Sequence, residues 1–333
     1  MSVIGSNVLA GASGAGGGDY VGNLAVAHGS SPYVTVYEWD SGFGSKYANP
    51  STLPPSTGEE VEFSPDGNDL AVGHSGSPYI SVYPWSSSGF GSKYANPSTL
   101  PAHNGEGVAW SPDGNNLAVA HPSSPYITVY PWSSGFGSKY SDPSSLPASH
   151  CFQVAWSPDG NDIEVRRVEN ECVTGCSWYH GYGSKYSNPS TTPTGTGYWV
   201  SFSPDGNNIA VGHAASPYIS VYPWSSGFGS KYSNPSTLPP STGSSAVWSP
   251  DGNDISVTSF SSPYILVYPW SSGFGSKYSD PSTLPPGNCR ETAWTPDGKN
   301  LATTHNNSPY VTAYSWDAGF GSKHSDPSTT PTG

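Results

Sequence analysis

This chain of 333 residues has little charge. Lys, Arg, Asp and Glu make up only 11% of it, and 11 basic residues face 24 acidic ones, for a net charge of −13 at pH 7. Nearly every lysine belongs to one repeated tetrapeptide, so no basic stripe is available to neutralise phosphates, which argues against nucleic acid as a partner. Four cysteines do not make a disulfide scaffold. No apolar run reaches membrane-spanning length, so membrane insertion is not expected. Residues 1–20, MSVIGSNVLAGASGAGGGDY, lack a basic n-region, and glycine and serine interrupt their apolar residues; they are not read as a signal peptide. A 3.6-residue apolar period is also missing. With 40 glycines and 34 prolines punctuating the chain, a helical fold is excluded.

The sequence instead contains one stretch many times over. A Phe-Gly-Ser-Lys tetrapeptide or close variant places lysines at Lys46, Lys93, Lys139, Lys185, Lys231, Lys277 and Lys323, spaced 46 or 47 residues apart. A fixed period of this length marks a solenoid, a propeller or an array. Within the unit from Gly107, Val108 and Trp110 alternate with Ala109 and Ser111. Ser111-Pro112-Asp113-Gly114 turns the chain, proline suiting the second turn position and glycine the left-handed one. Leu117, Val119 and His121 share one side of a second strand. Tyr126 to Tyr130 is β-branched and aromatic, a third strand that Pro131 ends. Ser138 to Ser141 is read as a weak, polar fourth strand at the edge. The large side chains of one strand face meet alanine or serine on the next blade.

The predicted fold is therefore all-β: a seven-bladed β-propeller with four antiparallel strands per blade and a 46–47-residue repeat. The blades are 1–57, 58–104, 105–150, 151–196, 197–242, 243–288 and 289–333, within a single domain. Residues 1–20 either supply the inner strand of blade 1, through 2–9, or form a docking tail. Each terminus is expected to complete its own blade.

The unit resembles a WD40-type repeat, on Ser64-Pro65-Asp66-Gly67, Leu70-Ala71-Val72-Gly73 and Ile80-Ser81-Val82-Tyr83-Pro84. Tyr-Pro stands where that family has Trp-Asp, and the usual Gly-His before the first strand is missing. The combination of GFGSKYANPSTLP (Gly42–Pro54) with SPDGN (Ser64–Asn68) is also similar to highly repetitive propeller proteins of tailed bacteriophages and prophages. That resemblance implies a structural, decoration or adhesion protein of a virus particle.

Blade 4 departs from the pattern between Glu164 and His180 while keeping its length, since Lys139 and Lys185 are still 46 apart. A pair of compensating frameshifts would do this; selection for a special site is the rival. The first origin predicts shorter or looser second and third strands there, and the second predicts a pocket built from Arg166, Arg167 and Glu169. Cys172 and Cys176 form C-x3-C without a second pair, a weak zinc signal. Cys151 and Cys289 share a repeat position three blades apart and should not bond.

Few residues carry chemistry. Asp66, Asp113, Asp159, Asp205, Asp251 and Asp297 read as turn caps rather than calcium ligands, since one or two carboxylates fall short of a calcium shell. His28, His74, His121, His213 and His305 end second strands and read as structural. The recurrent Trp85, Trp132, Trp224 and Trp270 read as packing rather than as a sugar platform. No nucleophile, base and acid converge, so no enzyme, metal or cofactor is expected. The candidate binding face carries the His-x-x-Ser-Pro-Tyr loops: His74, Tyr79, His121, Tyr126, His213, Tyr218, Tyr264, His305 and Tyr310. Repetition around a ring suits multivalent attachment. The expected partner is a virion or cell-surface protein, or a glycan in a lectin-like alternative, with the protein on a virion or extracellular surface. An enzymatic site at blade 4 is the least favoured reading.

Overall fold

A computed structural model describes residues 21–145, 147, 149–167 and 173–332, and these form seven antiparallel sheets without helix. Blade 2 shows the pattern. Its strands are Gly58–Phe63, Asp69–His74, Ile80–Ser86 and Gly89–Phe90, hydrogen-bonded in that order. Val61 pairs with Val72, and Leu70 with Tyr83. The second strand is buried on both faces because a blade packs against a neighbour on each side. The first strands of successive blades neighbour one another and surround the axis; Val108 and Trp110 lie on such a strand, Gly107–Trp110.

Blade 1 is described as Val21–Ala27, Val34–Asp40 and Phe43–Lys46, equivalent to the second, third and fourth strands elsewhere. The expectation for residues 2–9 lies outside the described residues. All four strands of blade 7 come from its own segment, Cys289–Lys323. Side-chain bonds between neighbouring blades join the ring. Tyr83 Oη donates to the Thr52 carbonyl at 2.8 Å and Tyr130 Oη to Thr99 at 2.7 Å; Tyr37 Oη closes the circle on Thr329 at 2.7 Å.

The fourth strand differs from expectation. It begins at the phenylalanine, not at Ser138, and in blades 3, 5 and 6 it shrinks to single bridges, Trp132–Phe136, Trp224–Phe228 and Trp270–Phe274. Proline is the cause. Blades with Pro131, Pro223 or Pro269 on the third strand lack an N–H for the edge ladder, and Pro84 allows only Gly89–Phe90. Where Glu38, Ser177 or Ser315 takes that place, a four-residue strand forms: Phe43–Lys46, Tyr182–Lys185 or Phe320–Lys323.

Blade 4 does not have shortened strands. Asp162–Arg167 and Val173–Trp178 have 6 residues each, against 5 each for Asn116–Ala120 and Ile127–Pro131 of blade 3. Its irregularity lies in polarity. Glu164 is fully buried, and among the described residues neither carboxyl oxygen has a hydrogen-bond partner; Tyr182 Oη and Thr174 Oγ1 are likewise unpartnered. Glu164 pairs across the sheet with Gly175, where blades 2, 3 and 5 pair Ala71, Ala118 and Ala210 with Val82, Val129 and Val221. The Glu164 carboxyl occupies the space that the missing valine would fill. Cys176 stands in place of the interblade tyrosine and carries a free thiol; Cys172 lies outside the described residues.

Candidate functional site at the mouth of the channel

The five repeated histidines are structural. His28, His74, His121, His213 and His305 are all completely buried, so none is available on a binding face, which corrects that part of the expectation. His74 Nδ1 meets the Gly76 carbonyl at 2.7 Å and Nε2 meets Ser81 Oγ at 3.0 Å. Burial lowers the pKa of each to about 4, leaving the imidazoles neutral. Tyr79, Tyr126, Tyr218, Tyr264 and Tyr310 are half-buried beside them. These tyrosines hold φ near +70°, a conformation that survives only where the surroundings fix it. Here the His74 N–H donates to the Tyr79 carbonyl, and the Gly105 N–H of the next blade to the His74 carbonyl.

The turn aspartates are saturated locally. Asp66 Oδ1 accepts from Ser64 Oγ at 2.6 Å and from the Asn68 N–H at 3.1 Å, and Oδ2 accepts from Asn68 Nδ2 at 2.8 Å. These donors favour the ionised carboxylate and pull its pKa below the ordinary range. The repeated tryptophans are packing groups. Trp132 touches Trp110, Phe136 and Tyr94 of blade 2 edge-on at 5.0–5.1 Å, and its Nε1 donates to Asp69 at 2.9 Å. Trp39 closes the ring in the same way against His324.

The most diversified cluster lies elsewhere. Two residues follow the first residue of each inner strand or its equivalent, and they differ from blade to blade: Glu59-Glu60, Glu106-Gly107, Phe152-Gln153, Tyr198-Trp199, Ser244-Ser245 and Arg290-Glu291. The chain around them scarcely changes. All of these except Gly107 and Ser245, with Arg166 of blade 4 and Phe260 of blade 6, line one cavity of about 280 Å³. It opens where the inner strands begin, on the face that also carries the Ser-Pro-Tyr loops.

Local structure explains this convergence. In blades 2 and 4 the third position aims at the next blade's backbone: Glu60 Oε2 accepts from the Val108 N–H at 3.1 Å and Gln153 Oε1 from the Val200 N–H at 2.8 Å. The second position turns to the axis. Arg166 reaches the cavity from a second strand, where blades 2 and 5 have Gly73 and Gly212. A Cβ at Gly73 would come within 2.6 Å of the Gly105 carbonyl oxygen. In blade 4 the arginine Nε donates to the equivalent Gly197 carbonyl, and the guanidinium lies 3.9 Å from the Phe152 ring centroid and 5.1 Å from that of Tyr198.

A continuous belt of contacts thus runs around the mouth. Glu106 Oε2 meets His150 Nε2 at 2.6 Å, and His150 stacks on Phe152 at 3.9 Å. Phe152 carries Arg166, which also faces Tyr198; Tyr198 meets Phe260 at 6.1 Å, and Arg290 lies 4.9 Å over Phe260. Among the described residues, the Arg290 guanidinium has no carboxylate or hydrogen-bond acceptor, and burial lowers its pKa. Burial and the neighbouring Glu106 push Glu59 up to about 7. Burial first, then Glu291 and Glu62, raise Glu60 well above the carboxylate range. Of the trio expected at blade 4, Arg166 lines this cavity, Arg167 is buried, and Glu169 lies outside the described residues.

Sequence reasoning treated the blades as equivalent and missed this cluster. Its signal was available: aligning blades 2 to 7 on their Ser/Thr-Pro-Asp-Gly turns exposes the two inner-strand positions where near-identical repeats disagree.

No family model matches the sequence, and no curated protein matches it. Solved structures do resemble it. A periplasmic gluconolactonase from Pseudomonas aeruginosa superposes with a TM-score of 0.70 at 16% identity, over 94% of this chain and 98% of that one. A chain of a mitotic checkpoint complex gives 0.63 at 20%, over 86% and 82%. The Cps50 (Swd1) β-propeller domain of Myceliophteria thermophila gives 0.60 at 12%, over 80% and 86%. At these identities the likeness establishes the propeller fold alone.

Proposed function

We propose that this protein is a non-catalytic binding propeller that takes a small ligand at the mouth of its central channel. One observation carries the reading: where the repeats diverge most at matched positions, the differing side chains meet in a single cavity. Packing alone is served by identical residues, as the tryptophans and tyrosines of the outer strands demonstrate. Seven copies of one residue give a symmetric surface; a mixture of Glu, Phe, Tyr, Trp and Arg gives an asymmetric site able to orient one molecule. The test is a thermal-shift screen with chemically diverse small molecules, followed by hydrogen exchange with a stabilising compound. New protection should fall on the starts of the inner strands of blades 2 to 7. Protection confined to the Ser-Pro-Tyr loops would overturn the reading.

A second reading concerns the rim of the same face. Tyr79, Tyr126, Tyr218, Tyr264 and Tyr310 repeat in one strained, half-buried conformation, which suits multivalent attachment to a protein surface or glycan. Taken with the resemblance to phage propellers drawn from the repeat's sequence alone, this reading makes the chain a virion-associated protein. Mass spectrometry of purified particles tests it, and absence of the protein from them would count against it.

A further inference from the structure

Of the charged groups lining the channel mouth, Glu60 and Arg166 are engaged by backbone groups, Glu106 by His150, and Glu291 is buried; the charges left are placed asymmetrically. Glu59 and Glu106 sit side by side on blades 2 and 3. Arg290 sits on blade 7, three blades from Glu106 and two from Glu59 in a seven-fold ring. Neither the Glu59 carboxylate nor the Arg290 guanidinium has a hydrogen-bond partner or opposite charge among the described residues. Between them stand the apolar faces of Tyr198 and Phe260.

We infer that the cavity takes a small zwitterion: an amino group held by Glu59 and Glu106, a carboxylate held by Arg290, and an apolar body against Tyr198 and Phe260. This rests on the channel mouth being the ligand site. A half-buried charge without a partner is costly. A lone amine would satisfy the acidic side and leave Arg290 bare, and a lone carboxylate would do the reverse. A neutral sugar would serve neither side with an opposite charge. A zwitterion with its two charges at opposite ends of an apolar body relieves both, and a cavity of about 280 Å³ limits it to about the size of a very short peptide.

The experiment is calorimetry with three probes that share one benzene ring: 4-(aminomethyl)benzoic acid, whose two charges stand at opposite ends of the ring, benzylamine and benzoate. 4-(Aminomethyl)benzoic acid should bind the parent protein roughly tenfold or more tightly than either single-charge probe, as expected for one charge-assisted hydrogen bond lost. Arg290→Gln should close the gap to benzylamine, and Glu59→Gln the gap to benzoate. The inference is overturned if a single-charge probe matches 4-(aminomethyl)benzoic acid, if all three fail to bind, or if the variants leave both gaps unchanged. If the screen above still finds neutral compounds at the channel mouth, the binding function stands and only the ligand class is wrong.

Discussion

Restoring the repeat's own residue pair in blade 4 should stabilise the protein, and only the pair should do so. Gly175→Val alone places a Cβ 1.6 Å from Glu164 Oε1 and 2.2 Å from its Cδ. The carboxyl is fully buried and must be displaced within a packed sheet, an overpacking cost of about 1–3 kcal/mol. Glu164→Ala alone removes a buried, unpartnered carboxyl, a gain of about 1–3 kcal/mol, but leaves a void over Gly175 that offsets much of it. In the double variant the void is filled. Burying a valine is worth about 1.5–3 kcal/mol and replacing a strand glycine about 0.5–1 kcal/mol. A net gain of about 3 kcal/mol is expected. With an unfolding entropy of roughly 0.7 kcal/mol/K for a chain this long, that raises Tm by about 4 °C. Burial lifts the Glu164 pKa well above the ordinary value, and Asp162 adds to it. The folded state therefore holds a proton that the unfolded chain releases above about pH 4.5, so the parent loses stability as pH rises. The benefit of the double variant should be larger at pH 8 than at pH 5. Urea denaturation of the four proteins at both pH values gives the cycle directly. A stabilising Gly175→Val single variant, or a benefit independent of pH, would refute the reasoning.

Two further outcomes are expected. Stability should peak in mildly acidic solution. Below about 6.5 the unfolded histidines take up protons that the folded ones, at about 4, refuse, so acid destabilises. Above 6.5 the raised carboxyls act alone, with Glu59 at about 7 and Glu62 at about 8, so stability falls toward pH 8. Glu62→Gln, which keeps an acceptor for the Trp110 N–H, should flatten that alkaline decline in scanning fluorimetry; an unchanged slope would count against it. Pro131→Ser should lengthen the edge strand of blade 3 toward the four residues seen beside Ser315. The amide that this substitution introduces should then be protected from hydrogen exchange, and exchange at the free-peptide rate would show that proline is not what ends the strand.

Much of the fold was legible in the sequence because the repeat made each blade a restatement of its neighbour. Alternation, turn residues and proline placed the first three strands. The fourth was placed late, because Ser138 to Ser141 reads as an edge strand while the actual pairing begins at Phe136 and depends on whether position 131 can donate an N–H. The turn role of Asp66 followed from local chemistry, which operates within a few residues. The candidate site followed from nothing local. Glu59, Phe152, Tyr198 and Arg290 are separated by up to 231 positions in the chain, and only closure of the ring brings them to one cavity. Arg166 was singled out for its unusual segment, yet its stacking on Phe152 depends on a neighbouring strand whose register no pattern announces.

Whether the ligand site is the diversified channel mouth or the repeated rim is decided by one comparison of two multiple variants. One replaces Phe152, Tyr198 and Arg290 by serine, the residue blade 6 has at that position as Ser244. The other replaces Tyr79, Tyr126, Tyr218, Tyr264 and Tyr310 by alanine. Isothermal calorimetry with the best compound from the thermal-shift screen, on variants shown to retain the parent's circular dichroism, should give a loss of roughly a hundredfold or more for the channel variant. The rim variant should bind within about threefold of the parent. Full binding by the channel variant, with loss in the rim variant, would contradict a ligand site at the channel mouth.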